Sequence, residues 1–393
     1  MRLTNGGIGA ILNVHACKRF LFNFCTTVDV LANANGVNIQ ISASFGRTAD
    51  GHPKVMDTQC QASIQSLDTD IRGEGPLGWI LSLFSGRIAK EYKPKLERTV
   101  CEKGRDFIMN EVNAKLASFP VQILLAQKFS LDYGLVADPA ITQDYIELGL
   151  KGSVSYPQLP NIVSPYPQTP LIEQIHGNKM VFGWISDKVI NDILYIGHQA
   201  GVFNHTFTKD DPRIGQYLRL RCGNDVICLG RLLPEVGSLF PNVETAEVDC
   251  ETSSPPLVNV KRDGPAELDA NATLHLHTAA CATGFTCTRA SIAEIQLRFQ
   301  ASLQGRVENL RLFGEVDINE LHLSVVETVL SQDFKELIET QLPLLAKPIL
   351  LSTINEYLAV GLPIPVTNGV RLVSPQIRLL DRTIQLESNM VYG

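Results

Sequence analysis

The chain predicts an α+β fold used twice, in which curved antiparallel sheet wraps one unusually long amphipathic helix in each of two barrel-like domains. Three observations predict it. At 393 residues and 43.2 kDa the chain exceeds one ordinary core. Each half carries strand-like alternation and then a long stretch of helical period. A proline-rich stretch separates the halves.

The elements follow in order. Val37, Ile39, Ile41, Ala43 and Phe45 alternate with Asn38, Gln40, Ser42 and Ser44, a period of two. Turn residues from Gly46 to Pro53 end that strand. In the next strand Cys60, Ala62 and Ile64 share a face, but the apolar phase slips to Leu67, Thr69 and Ile71, which predicts a bulge. From Leu77 the spacing becomes three-to-four, through Leu81, Phe84, Ile88, Tyr92, Leu96 and Val100. This predicts an amphipathic helix reaching Ala117, bent at Pro94.

Five prolines between Tyr156 and Pro170 favour extended, semi-rigid backbone. Beyond them Val189, Ile190, Ile193, Leu194 and Ile196 predict a helix, and Ile295, Leu297, Phe299, Ala301 and Leu303 a strand. A second long helix is predicted over Val325 to Leu358, through Val329, Phe334, Leu337, Ile338, Leu345, Ile349 and Ile354. The architecture repeats although the residues do not.

Composition narrows the function. With 45% hydrophobic and 19% charged residues the chain is globular, and a net charge of −7 gives no attraction for nucleic acid. No apolar run reaches the roughly 18–20 residues that cross a bilayer, which leads to the expectation of a soluble protein or one that touches a membrane surface from one side only. Nine cysteines point to disulfides and an oxidising, extracellular compartment. Cys222 and Cys228 flank the turn sequence Gly223-Asn224-Asp225 and are expected to pair. Asn204-His205-Thr206 and Asn271-Ala272-Thr273 are candidate glycosylation acceptors. Met1 to Ala16 does not read as a signal peptide, so a secreted form is expected to begin upstream of this sequence.

Catalysis finds no support. There is no G-x-S-x-G, P-loop, H-E-x-x-H or G-x-G-x-x-G pattern, and Asp68 and Asp70 fit the polar side of a strand. His275 and His277 share a strand face near Cys281 and Cys287, but Leu274 and Leu276 opposite them make a solvated strand the better reading than a metal site. No cofactor is implied. The functional candidates are the apolar helix stripes: Leu77, Ile80, Leu81, Phe84 and Ile88 in the first half, and Val189, Ile193, Val329, Leu337 and Leu345 in the second. Periodicity does not by itself separate a lipid pocket from a filled core, and taken alone it favours the filled core.

Four stretches carry a resemblance to a known family. Gly78-Trp79-Ile80-Leu81-Ser82-Leu83-Phe84 with Val100-Cys101-Glu102-Lys103, then Tyr133-Gly134-Leu135-Val136, then Leu233-Pro234-Glu235-Val236 with Phe240-Pro241-Asn242, then Ile354-Asn355-Glu356 through Gly361-Leu362-Pro363-Ile364-Pro365 to Val391-Tyr392, stand in the family's order. They resemble the bactericidal/permeability-increasing and lipopolysaccharide-binding proteins. The resemblance implies a boomerang of two barrels joined by a central sheet, a phospholipid pocket in each half, and a disulfide carried over onto Cys60 and Cys101. The family's opening helix and first strands have no counterpart here, so the first barrel is expected to be incomplete. Cys222–Cys228 and the cysteines at 250, 281 and 287 depart from the mammalian pattern.

On this reading residues 1–155 are the shortened first barrel with strands of the central sheet, 156–170 the linker, 171–360 the second barrel and 361–393 strands returning to the central sheet. The expected function is extracellular lipid binding, with phospholipid or other acyl lipids as partners, lipopolysaccharide or bacterial membranes among them, in innate defence or lipid transfer. The competing reading keeps the fold as a non-lipid interaction scaffold with filled pockets. Residues 1–150 balance 15 Lys and Arg against 15 Asp and Glu, which predicts weak capture of anionic lipopolysaccharide.

Overall fold

The computed structural model describes residues 2–19, 23–72, 85–125, 128–167, 178–223, 227–279, 281–282, 284–286, 288–364 and 370–392. The chain forms two compact units, residues 1–121 with 133–151, and residues 122–132 with 152–393.

In the first unit β1 (Arg2–Arg19), β2 (Asn23–Arg47) and β3 (Pro53–Arg72) make an antiparallel sheet in that order. The alternation at 37–41 places Val37 in the core with Ala34 and Ile64, and Ile39, Leu67 and Leu96 pack against them. The phase slip of β3 is present, but no bulge in β3 causes it. Its register with β2 is unbroken from Asp29↔Arg72 to Ser44↔Asp57. The irregularity lies beside it: β1 shifts register between Leu3 and Ile8, and Gly36 of β2 sits at φ +63°. A Cβ there would stand 2.5 Å from that of Gln65, so only glycine lets the strands cross at this corner while the inward face changes phase.

Helix α1 (Ser85–Phe107) continues through a π-helical turn, Ile108–Val112, into α2 (Asn113–Ala117), so the long helix reaches the predicted end. It runs on through Pro94, and its described irregularity is the π turn. Three attachments hold it to β3. Cys101 is disulfide-bonded to Cys60, with 5.5 Å between the Cα atoms. Glu97 Oε1 accepts the Ile64 amide at 2.8 Å. The Asn113 side chain takes both backbone groups of Val55, accepting its N–H at 2.8 Å and donating to its carbonyl at 3.1 Å.

In the second unit β4 (Gln122–Leu125) and β5 (Phe129–Asp132) form a three-stranded sheet with a later strand; between β5 and that strand in sequence the first unit adds the short pair β6 (Ala140–Ile141) and β7 (Ile146–Glu147). That later strand is β8 (Ser153–Ser155). Strand β9 (Val181–Ser186) leads into α3 (Asp187–Gln199), whose N-cap Ser186 accepts the Lys188 amide at 3.2 Å. The principal sheet comprises β10 (His205–Phe207), β11 (Ala246–Thr252), β13 (Ala266–Thr278), β14 (Ser291–Glu308), β15 (Arg311–Thr328) and β16 (Leu362–Pro363) in that order; β12 (Leu257–Asn259) pairs with β13. Short helices α4 (Leu229–Leu232) and α5 (Pro234–Leu239) precede β11. Strands β17 (Val370–Leu380) and β18 (Thr383–Tyr392) join β9 in a third sheet. Ile295, Leu297, Phe299 and Ala301 of β14 are buried and alternate with Gln296, Arg298 and Gln300, as predicted.

The second long helix differs from its prediction. Residues through Thr328 are strand, and the helix is two pieces, α6 (Gln332–Thr340) and α7 (Leu342–Leu358), bent by 45°. Val325 is buried in β15 by the strand's alternation with Leu323, a signal that an apolar helix stripe mimics. Pro343, in the first turn of α7, starts a new helix because its missing N–H costs nothing there.

The attachments to β15 repeat those of the first unit. Glu339 Oε1 accepts the Val325 amide at 3.1 Å, and Asn355 takes both backbone groups of Val316 at 2.8 and 3.2 Å. Glu97 and Asn113 are sixteen residues apart, as are Glu339 and Asn355; Ile64 and Val55 are nine apart, as are Val325 and Val316. Sixteen helical residues span about 24 Å and nine strand residues about 30 Å, so the pairs brace an antiparallel helix and curved strand at two comparable separations. In this alignment Leu321 and Pro343 stand where the first unit has Cys60 and Cys101. Asn191 on α3 uses the same device on Val258, at 2.8 and 2.9 Å, and is itself buried.

Candidate functional site

The apolar surfaces of the second unit are unevenly filled. Helix α6 sinks Phe334 and Ile338, 1% and 5% exposed, into the core with Ile292, Val236, Leu323 and Val325. None of the 17 residues of α7 is buried, although leucine and isoleucine dominate it. Its Leu342, Leu350, Leu351, Ile354 and Leu358 lie half-covered against the sheet, while Leu344 and Leu345 are 72% and 58% exposed. The core face of the sheet mixes buried alanines, Ala246, Ala270, Ala272, Ala293 and Ala301, with larger side chains such as Leu297, Phe299 and Ile318. The half-covered and exposed leucines of α7 leave apolar surface for a further apolar group to cover.

The predicted stripe residues do not converge. Leu77, Ile80, Leu81 and Phe84 lie outside the described residues, as does the side chain of Ile88, which falls within α1. Val189 and Ile193 are half-buried on α3, which packs through Ile190 and Leu194 onto a separate cluster of Val258, Val260, Ala266 and Ile384. Leu337 packs half-buried at the α6 end of the main core. Val329 is 59% exposed in the turn after β15, where the broken helix placed it, and Leu345 points outward from α7. Leu350, Leu351, Ile354 and Leu358 face the sheet instead. Their signal was present in the sequence as an apolar run around Pro348, but polar residues scattered around the helix give periodicity no inward face to choose.

The two described concavities are polar. One, about 200 Å³, is lined by Arg298, Phe299, Gln300, Glu320 and His322. The other, about 420 Å³, is lined by Gly7, Gly9, Asn33, Ala34, Asn35 and Asp68. Neither contains a stripe residue.

The polar face of β11 and β13 is an ion-paired ladder. His275 lies 3.5 Å from Glu251 and 3.9 Å from Glu294, and His277 lies 3.5 Å from Asp249, which also receives Arg289 at 2.7 Å and Thr206 at 2.7 Å. Burial and the neighbouring Arg289 hold the His277 pKa below its ordinary value. Partial burial pushes the Asp249 carboxyl upward, but hydrogen bonds from Thr206 and Arg289 and the Arg289 charge outweigh it and lower the pKa. Among the described residues no three His, Cys, Asp or Glu groups gather to hold a metal ion.

Cys222 is disulfide-bonded to Cys228 with 6.4 Å between Cα atoms, and Cys281 is also in a disulfide. Cys250 is a free thiol that burial pushes up to about 11, so it stays protonated and unreactive at neutral pH. Asn204 is exposed at the turn before β10; Asn271 is half-buried on β13, with its amide nitrogen donating to Ser254 at 3.2 Å.

Comparison with known proteins agrees with this architecture. The N-terminal domain of the LBP / BPI / CETP family matches residues 4–110, and its C-terminal domain matches residues 124–392. Human lipopolysaccharide-binding protein is 24% identical over 380 residues, 95% of this chain and 75% of that protein. Rat bactericidal permeability-increasing protein is 24% identical over 357 residues, 90% of this chain and 71% of that one. Human BPI fold-containing family C protein is 23% identical over 394 aligned residues, 99% and 74% of the two chains. The crystal structure of a lipopolysaccharide binding protein superposes with a TM-score of 0.51 at 19% identity, covering 100% of this chain and 86% of the other, a likeness of fold. The chain, with both domains matched along nearly its whole length, belongs to the LBP / BPI / CETP family.

Proposed function

We propose that this protein is an extracellular lipid carrier that holds acyl chains between α7 and the principal sheet of the second unit. The observation that carries the reading is α7 itself, rich in leucine and isoleucine and with no residue buried, beside an α6 that is packed into the core. Leu350, Leu351, Ile354 and Leu358 are the side chains for an acyl chain to meet. Burying about fifteen methylenes at about 0.8 kcal/mol each gains about 12 kcal/mol over water. Relative to a bilayer the same burial is nearly neutral, so lipid is held in solution and exchanged at membranes. That is the behaviour of a carrier or sensor, with no chemical step.

Disulfides at Cys60–Cys101 and Cys222–Cys228 support an oxidising compartment. The relatives named for lipopolysaccharide binding support an anionic acyl lipid as ligand, but the even charge balance of residues 1–150 favours neutral or weakly anionic phospholipid over lipopolysaccharide.

Native mass spectrometry of the secreted protein, followed by organic extraction, tests the reading. Stoichiometric phospholipid is the expected result. A lipid-free mass after incubation with vesicles would overturn it and leave an interaction scaffold. Submicromolar, salt-sensitive capture of lipopolysaccharide would overturn the preference for phospholipid.

A further inference from the structure

The two Asn-x-Thr sequences, at Asn204 and Asn271, lie in different surroundings. Helix α3 ends in a closed turn just before the first of them. Gly201 adopts φ +65°, its N–H donates to the His198 carbonyl at 3.0 Å, and the Val202 N–H donates to the Gly197 carbonyl at 2.8 Å. The turn brings Phe203 back over α3, where a Cβ on Gly197 would stand 2.7 Å from its ring. The chain then emerges: Asn204, His205 and Thr206 are all exposed. The Asn204 side-chain amide has no hydrogen-bond partner among the described residues. Two residues on, the Thr206 hydroxyl donates to Asp249 at 2.7 Å and ties β10 to β11.

Asn271 differs on each count. It is half-buried within β13, opposite Arg298 of β14. Its Nδ2 donates to the Ser254 hydroxyl at 3.2 Å, and its carbonyl accepts the Ser253 N–H at 3.0 Å. The chain leaving β11 thus runs along Asn271, and a sugar on that nitrogen would have to displace it. Strand β10, by contrast, stands at the end of the principal sheet's order, so no strand lies beyond it among the described residues. An open rim of backbone N–H and C=O groups is a template for pairing with another chain.

We infer that Asn204 carries an N-linked oligosaccharide, that Asn271 does not, and that the sugar covers the open rim of β10. The inference rests on the extracellular reading, because the donor, an oligosaccharide joined to a lipid diphosphate, is met in the secretory pathway. In the transfer the Asn204 Nδ2 bonds to the anomeric carbon and gives up one proton. The bond from that carbon to the diphosphate oxygen breaks, and its electron pair leaves on the oxygen. Thr206 supplies the hydroxyl that the acceptor pattern requires. Transfer acts on the unfolded chain as well, so the fold decides which product is secreted: a sugar at Asn204 stands clear in solvent, and one at Asn271 parts the 253–254 segment from the sheet. A bulky, hydrated group beside a three-residue edge strand keeps other chains from adding to it.

The test directs the full chain through the secretory pathway of cultured mammalian cells with a supplied leader peptide. The mass of the protein collected from the medium is read before and after peptide N-glycosidase. A single glycan is expected, lost in N204Q and T206V, kept in T206S and unchanged in N271Q. Peptide mapping is expected to find the aspartate left by the glycosidase at residue 204. N204Q, which leaves the Thr206–Asp249 bond in place, is expected to match the wild type in circular dichroism and to associate at concentrations where the wild type stays monomeric. A secreted chain without glycan, a glycan that survives N204Q, or one lost in N271Q would overturn the assignment. An N204Q chain that stays monomeric throughout would overturn the role at the sheet edge. Lipid extracted from N204Q is expected to match that from the wild type; lipid absent from both, with the glycan in place, would count against the carrier reading and leave this one standing.

Discussion

The two helix-on-strand braces of this protein use one set of hydrogen bonds and opposite means of closing the helix. In the first unit a continuous helix is cross-linked to its strand at Cys60–Cys101, and the exposed side of α1 carries Lys90, Lys95, Arg98, Lys103 and Arg105. In the second unit the corresponding positions are Leu321 and Pro343, the helix breaks there, and α7 beyond the break is rich in leucine and isoleucine with no residue buried. The glutamate and asparagine clamps at equal spacings carry no information about ligand; they fix helix to sheet. With that job done, the residues between the clamps are free to diverge, toward a covalently fastened polar helix in one unit and a loosely seated apolar one in the other.

The disulfide is the largest difference and its removal the largest effect. Cys60→Ser with Cys101→Ser opens a closure spanning 41 residues, worth about 4 kcal/mol in the chain-entropy model. Hydrogen exchange is expected to rise in β1–β3 and α1 while β11–β15 keep their protection. Equal loss in both units would show that they do not unfold separately, and the comparison would fail.

The clamps come next. Asn113→Ala and Asn355→Ala each strand an amide and a carbonyl of one valine, and each is expected to cost about 2–3 kcal/mol in denaturant titration. Similar values are the mark of one device used twice. A negligible effect for Asn355 beside a large one for Asn113 would mean that α7 is held by its apolar contacts instead. Glu97→Ala and Glu339→Ala each remove one hydrogen bond and are expected to cost about 1 kcal/mol, with the 2.8 Å bond of Glu97 the more costly of the two.

The sequence made the period of the strands legible, and with it the α+β class, because burial on one face forces alternation at Val37–Ile41 and at Ile295–Ala301. It misled at Val325, where an alternating strand runs straight into an apolar helix and a single stripe spans both. The clamps were invisible for a different reason. A lone Asn or Glu on a helix looks like a solvated position, and only the shared spacing, seen with its partner strand, gives it meaning. Gly36 left its trace as a phase slip one strand away, in β3, because a corner is a property of neighbouring strands and not of one. The apolar helices were legible as stripes but their inward residues were not, since the polar residues of α7 are scattered around it and mark no outer face.

The smallest expected effect divides the units by pH. The folded state holds His277 below its ordinary pKa of 6.5, so the unfolded chain takes up the proton first as pH falls. Stability of the second unit is therefore expected to decline as pH drops from about 6.5 toward the lowered folded value, and then to level. Asp249 acts in a lower window: its depressed pKa contributes stability above 3.8 that is lost as pH falls through the folded value. In the first unit Asp50 is likewise lowered from 3.8, chiefly by its hydrogen bond from Thr48, and works only in that acid range. Hydrogen-exchange protection, with the intrinsic pH dependence of exchange divided out, is thus expected to fall between about pH 6.5 and pH 5 in β11 and β13 and not in β2 and β3. His277→Gln, which keeps a polar side chain on the same face and cannot be protonated, is expected to flatten that response. If β2 and β3 respond equally, the pH dependence belongs to charge spread over the whole chain, and the His277–Asp249–Arg289 ladder has no part in it.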